Sequence, residues 1–323
     1  IPPASDHNPS TLLQSRNLPF YDSGFLCVWK LWLTLQPPKN SNMESGNLIK
    51  EGIKQVITEM MDSVMTRVLV SDPFIPEEHH AKKPLYATLV PDEIFKGSHF
   101  ERRFVTPFGK AWERLAKVVA TANLGECILG ASIEGSIRDG RLKRIQEILN
   151  SEDHSTAKTK KRKPDWENDL KYVLEGEGNP IPVKVVCDLL AIDKRTGDRF
   201  AFELKAPLPN SDQTKVSKEK MLKLMAMDNK PVKEAFYALV YNPYGERKDY
   251  AWPFPKRWFD IDNDKSLLIG EELWDFLGGK GTYRLFISEI NKLGAKYKET
   301  IYKEYLNINP ENCLTETNDS LLK

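Results

Sequence analysis

The residues of this chain whose types and spacing could do chemistry are Asp188 and, after fourteen intervening residues, Glu203-Leu204-Lys205. Two carboxylates on one surface repel and raise one another's pKa unless a cation sits between them. A hard divalent ion such as Mg²⁺ takes oxygen ligands and usually keeps several waters, so two carboxylates plus a phosphate suit it. A lysine beside such an ion can position or deprotonate an attacking water. Metal-assisted hydrolysis of a phosphodiester is the chemistry that uses all three parts. The plainer alternative is a surface hairpin in which Lys205 simply neutralises Glu203.

That chemistry needs elements that bring the three side chains together. The run VKVVCDLLAIDKRTGDRFAFELKA, residues 183–206, has β-branched and aromatic residues on either side of a polar turn with Asp193, Gly197 and Asp198, which predicts a hairpin. Folded symmetrically about residues 194–197, it pairs Asp193 with Asp198, Ile192 with Arg199 and Asp188 with Glu203. Directly opposed residues share a face, and strand period puts Lys205 on that face while Phe202 and Leu204 point into a core. Residues 215–227 read as a helix capped by Asp212 or Thr214, with Val216, Met221, Leu222, Leu224 and Met225 inward and Lys215, Lys218, Lys220 and Lys223 outward. Residues 234–241 (EAFYALVY) read as a strand reached through that crossover, hence parallel to the Glu203 strand. The fold class expected is α/β (α+β mixed sheet), a central mixed sheet flanked by helices with a helical N-terminal region.

Upstream, an apolar stripe from Ile49 to Val68 predicts a helix capped by Ser45. Residues 92–104 predict a second helix, and Thr106 with Pro107 predicts the start of a third. Residues 125–140 carry four glycines among small residues and read as turns, since the phosphate-binding pattern G-x-x-x-x-G-K-[ST] is absent. Residues 271–277 and 283–305 predict further helices, the last broken at Gly294. Asp260, Asp262, Asp264 and Glu271 mimic a calcium loop, but Lys265 stands where the turn needs glycine.

At 323 residues, with 40% hydrophobic and 29% charged residues, the composition is that of a globular protein with one large domain or two ordinary ones. A net charge of +1 gives no global basic field, so nucleic-acid contacts must use local patches. The four cysteines show no zinc-ligand spacing, which suits a reducing cytoplasm. Residues 1–42 are proline-rich, with an apolar piece too short to span a bilayer and no membrane anchor. Met43 reads as the native start and 1–42 as a non-native or disordered extension. The core domain is expected over 43–306, mainly helical across 43–150 and catalytic across 165–306, with a flexible tail at 307–323.

Asp188 followed by Glu203-Leu204-Lys205 resembles the D…(D/E)xK core of the PD-(D/E)xK nuclease superfamily. ELKAPLPNSDQTKVSKEKMLKL, HFERRFVTPFGKAWERLAKVVA, YNPYGERKDYAW and LIGEELWDFLGGKGTY together resemble the TdeIII family of type II restriction endonucleases across about residues 43–305. One departure is Cys187, where the superfamily places a proline that is dispensable to the chemistry. The resemblance implies a site-specific deoxyribonuclease acting on double-stranded DNA at a short GC-rich palindrome of the GGNCC type. It implies Mg²⁺ held by Asp188, Glu203 and the Leu204 carbonyl, with Lys205 acting on water. It also implies an extra acidic group from a helix before the sheet, which matches Glu101, and a cognate DNA methyltransferase. A palindromic target implies a homodimer.

DNA contacts are expected from the basic run with Lys160, Lys161 and Arg162, from Gln213 and Lys215 after the catalytic strand, and from Asn242, Arg247 and Lys248. Such side chains reach phosphates or guanine edges, though each also fits a solvated loop. The alternatives are a junction resolvase or repair nuclease on the same core, and a non-catalytic DNA-binding protein.

Overall fold

The computed structural model describes residues 41–153 and 162–309, with side chains from Ser45 onward. The 1–42 extension, the tail beyond Asn309, and Lys160 and Lys161 fall wholly or almost wholly outside the described residues. Among the described residues, no helix is long and apolar enough to cross a membrane.

Five strands form one mixed sheet in the order β1 (Gly125–Arg138), β2 (Pro180–Asp193), β3 (Arg199–Lys205), β4 (Glu234–Leu239) and β5 (Leu267–Ile269). β1, β2 and β3 pair antiparallel, while β3, β4 and β5 run parallel. The turn behaves as its residues dictate: Asp193 N–H donates to the Asp198 carbonyl, and Ile192 faces Arg199. The crossover between β3 and β4 is a helix, as parallel neighbours require. Helices cover both faces, so the mixed α/β architecture expected from the sequence is the one found.

On one face Phe200, Phe202 and Phe236 meet Phe276 of helix α9 (Glu271–Gly278), with ring centroids 5.0–6.3 Å apart. On the other, Glu203 and Tyr237 face helix α7 (Ser211–Ala226), where the Tyr237 hydroxyl lies 3.0 Å from the Thr214 hydroxyl. The helices before the sheet are α1 (Ser41–Thr66), the short α2 (Pro76–Lys82) and α3 (Pro84–Leu89), and the long α4 (Asp92–Asn123). α5 (Asp139–Glu152) and α6 (Trp166–Leu174) separate β1 from β2. After β4 come α8 (Pro253–Trp258), α9 and α10 (Thr282–Thr300).

Five local expectations are corrected. Residues 125–140 form the long strand β1, because Cys127, Ala131, Ile133 and Ile137 supply a buried row that outweighs the turn preference of the glycines. α4 is continuous through Pro107. A proline inside a helix costs about 3 kcal/mol, but Phe100, Phe104, Phe108 and Trp112 stack at i, i+4 spacing across it, with centroids 6.2, 5.0 and 4.9 Å apart. Three such pairs contribute roughly 0.5–1.5 kcal/mol each beyond their burial, enough to carry the helix through. α7 is capped by Asn210, whose side chain accepts from Gln213 N–H, and α10 runs unbroken through Gly294. The inward face of α7 is also rotated from expectation: Val216 is exposed, whereas Ser217 and Lys218 are buried.

Candidate active site

β2 and β3 pair from Ile192–Arg199 to Leu189–Phe202 and part at the next position, where Asp188 and Glu203 stand. β1 also lets go there. Its ladder to β2 passes from Leu129–Leu189 to Ala131–Cys187, skipping Gly130, which has φ +57°. Only glycine adopts that conformation without a Cβ penalty. Asp188 therefore sits where β3 parts from β2 and opposite the single unpaired step of the β1 ladder, and its carboxylate takes over: Oδ2 accepts the Leu204 N–H at 2.8 Å. The backbone geometry thus ties the two halves of the motif together.

Lys205 Nζ lies 2.9 Å from Asp188 Oδ2 and 3.4 Å from Glu203 Oε2. Glu203 is only 2% exposed and is held from the other side by α7. Ser217 Oγ donates to its Oε2 at 3.2 Å, and Lys220 Nζ lies 2.9 and 3.1 Å from its two oxygens. Burial, then the Asp188 charge, push the Glu203 pKa up, against the pull of Lys205 and Lys220. Burial works to lower the Lys205 pKa, but Asp188 and Glu203 together outweigh it and the net shift is upward. Lys205 is thus an ammonium between two carboxylates, as their mutual repulsion requires. Cys187 is fully buried behind them, its thiol pushed up to about 12, chiefly by burial, so it is packing and not chemistry.

A third carboxylate enters from α4. Glu113 is half-buried and its pKa is raised, first by burial and then by the Asp188 charge, with Lys205 opposing. It lines a cavity of about 540 Å³ together with Leu204 and Lys205. Glu101, the acid expected to fill this place, is exposed twelve residues earlier on the same helix. At 1.5 Å per residue that is ~18 Å along the axis, and among the described residues it has no hydrogen bond or ion pair. The continuous α4 turns Glu113, and not Glu101, toward Leu204 and Lys205.

The donor set suits a hard divalent ion. Asp188 and Glu203 offer carboxylate oxygens on one edge, the Glu203 environment favours a nearby positive charge, and two lysines supply it in this structure. Among the described residues no three His, Cys, Asp or Glu side chains are grouped to hold a metal by themselves. An ion held here would rest on two carboxylates completed by backbone, phosphate or water oxygens, a donor set that suits a hard divalent cation.

The expected DNA-contacting residues divide. Arg247 is a crosslink: its guanidinium donates to Glu272 Oε1 at 2.8 Å and to the carbonyls of Ile261, Asp264 and Leu267. With those donors turned inward it does not offer a fork to a guanine. Asn242 likewise closes its own loop, donating to the Gly245 and Glu246 carbonyls and accepting from Tyr244 N–H. Gln213 is exposed behind the Asn210 cap, and Lys215 pairs with Asp153 at 2.7 Å. Lys248 is exposed beside Glu246, and Arg162 lies 2.6 Å from buried Asp169. The groups that the sequence reading passed over are Glu113, Ser217 and Lys220. A signal existed for Ser217: Thr214, Ser217 and Met221 recur at helical spacing and mark the buried stripe.

A family model, "Type II restriction endonuclease, HinfI", matches residues 49–294. The chain is 26% identical to the type II restriction enzyme HgiCII of Herpetosiphon aurantiacus, over 69% of this chain and 82% of that one. It is 25% identical to HgiEI of the same organism, over 81% and 98% respectively. MjaII of Methanocaldococcus jannaschii is 28% identical over 50% of this chain and 45% of its own. With the match spanning most of its length, the chain belongs to the HinfI family of type II restriction endonucleases.

Proposed function

We propose that this restriction endonuclease cuts double-stranded DNA at a short GC-rich palindrome, GGNCC-like by the TdeIII resemblance, using Mg²⁺ at a PD-(D/E)xK-type site. The observation that carries the reading is the convergence of Asp188, Glu203 and Lys205 within hydrogen-bonding reach where the strands part. Asp188, Glu203 and the Leu204 carbonyl would hold the ion, which would supply Lewis acidity at the scissile phosphate. Lys205 orients the attacking water and neutralises charge on the phosphate. Ser217 and Lys220 fix the Glu203 carboxylate, and Glu113 takes the place first expected for Glu101. A two-fold target implies two copies of the chain, one site per strand, and a self-compatible host implies a methyltransferase that protects the same sequence.

The experiment is digestion of a sequenced plasmid by the whole chain with Mg²⁺, with EDTA, and by Lys205→Ala. Discrete bands that vanish in both controls are expected, and mapping their ends gives the target. A smear instead of bands would indicate a repair or structure-specific nuclease; cutting that survives Lys205→Ala refutes the assigned site.

A further inference from the structure

The catalytic cluster does not account for the cavity beside it. Leu204 and Lys205 form one wall, and Tyr241, just beyond the end of β4, closes another. The long wall is α4, which presents Phe104, Phe108 and Trp112, all half-buried, and between them Gly109. Glycine weakens a helix interior, so its presence there needs a reason. Gly52 has one: a Cβ there would lie 2.2 Å from Val118 Cγ1, so α1 and α4 pack through it. At Gly109 a Cβ would meet nothing within 4 Å. Among the described residues no neighbour requires that gap. Its volume, about 540 Å³, falls in the range of small-molecule sites, ~300–1,000 Å³.

We propose that the cavity receives one nucleobase, unstacked from the duplex next to the scissile phosphate. The inference rests on the nuclease reading of Asp188, Glu203 and Lys205, since that reading brings DNA to Lys205 and hence to the cavity mouth. A phosphate would call for several cations, whereas this wall offers aromatic faces with only Lys205 and Glu113 as charged lining. Ring faces are what an unstacked base needs, whatever its identity. The missing side chain at position 109 keeps a slot open beside this row of rings. Enzymes that extrude a base recover the unstacking cost in such a pocket, and a base that is already mismatched costs less to extrude.

The test uses the whole chain, Ca²⁺ in place of Mg²⁺, and duplexes bearing the target mapped by plasmid digestion. Each base pair is replaced in turn by a mismatch. Positions read by direct contact lose affinity; the extruded position should gain roughly tenfold. Gly109→Leu, which strengthens the helix and fills the slot, should abolish that gain, as should Phe108→Leu, which keeps apolar volume and removes the ring face. A merely structural role for these residues would lower affinity for matched and mismatched duplexes alike. No position gaining affinity, or a gain that survives both substitutions, overturns the proposal. Loss of site-specific cutting by the unaltered chain would instead refute the nuclease reading beneath it.

Discussion

The molecule contains the same chemical inventory twice. At the divergence of β2 and β3, Lys205 stands between Asp188 and Glu203; under α7, Lys218 stands between Glu152 and Asp169. In the second cluster Lys218 Nζ lies 2.8 and 2.7 Å from the Glu152 oxygens and 2.8 Å from Asp169 Oδ2, and all three residues are 0% exposed. The first is open on one side, with the Lys205 and Asp188 side chains 20% and 24% exposed, and Glu113 and a cavity adjoin it. Helix α7 serves both, Lys218 reaching one cluster and Ser217 and Lys220 the other. Composition does not separate a site from a strut here; access to solvent and unfinished strand pairing do. A closed lysine–dicarboxylate cluster fixes the helix that shapes the open one.

The widest separation between the clusters should come from deleting each lysine. Lys205→Ala should reduce Mg²⁺-dependent cleavage by about 10²–10⁴-fold, the usual range for a proton-handling group, while its urea midpoint stays near that of the unaltered protein, since Lys220 still accompanies Glu203. Lys218→Ala leaves buried Glu152 without its partner and Asp169 with Arg162 alone, a loss on the order of 3–5 kcal/mol. That is a large part of a typical total stability of about 5–15 kcal/mol. Activity and urea denaturation of both variants, measured side by side, decide it. If Lys218→Ala were silent in stability, the closed cluster would not be the strut described here.

Within α4 the comparison narrows to two glutamates. Glu113→Gln should lower cleavage by roughly 10–100-fold, the effect of an outer group whose charge tunes a metal site, and Glu101→Gln should leave it unchanged. Single-turnover cleavage at saturating Mg²⁺ reads both. The reverse result would restore Glu101 to the site and remove Glu113 from it.

The hairpin, its register, the parallel crossover and the convergence of Asp188, Glu203 and Lys205 were all legible in the sequence, because local turn chemistry and period-2 patterning determine them. Glu113 was not, since Pro107 signals a helix break by itself and only the Phe100–Trp112 ring stack overrides it. Lys218 and Lys220 read as solvent-facing because lysine is almost never buried unless paired. Their partners, Glu152 and Asp169 in one case and Glu203 in the other, are distant in the chain. Arg247 read as a DNA contact for the same reason: the four groups that occupy its guanidinium come from residues 261–272. Long-range pairing of charge is what local patterns do not carry.

The last contrast sought is one of pH, and it separates the clusters without touching activity. Burial, ahead of the favourable pull of Lys218, raises the Glu152 pKa to about 8 from an unfolded value near 4.3. Between those values the native state holds a proton that the unfolded chain has lost, so stability is greatest below the unfolded pKa and falls as pH rises through the folded one. Glu152→Gln keeps a hydrogen-bonding group and removes the titration. Urea midpoints across pH 5–8.5 should therefore decline in the unaltered protein and flatten in the variant. An unchanged slope in Glu152→Gln would mean that Glu152 is ionised throughout, with Lys218 and Asp169 arranged as a permanent ion cluster, and the contrast with the open site would then rest on burial alone.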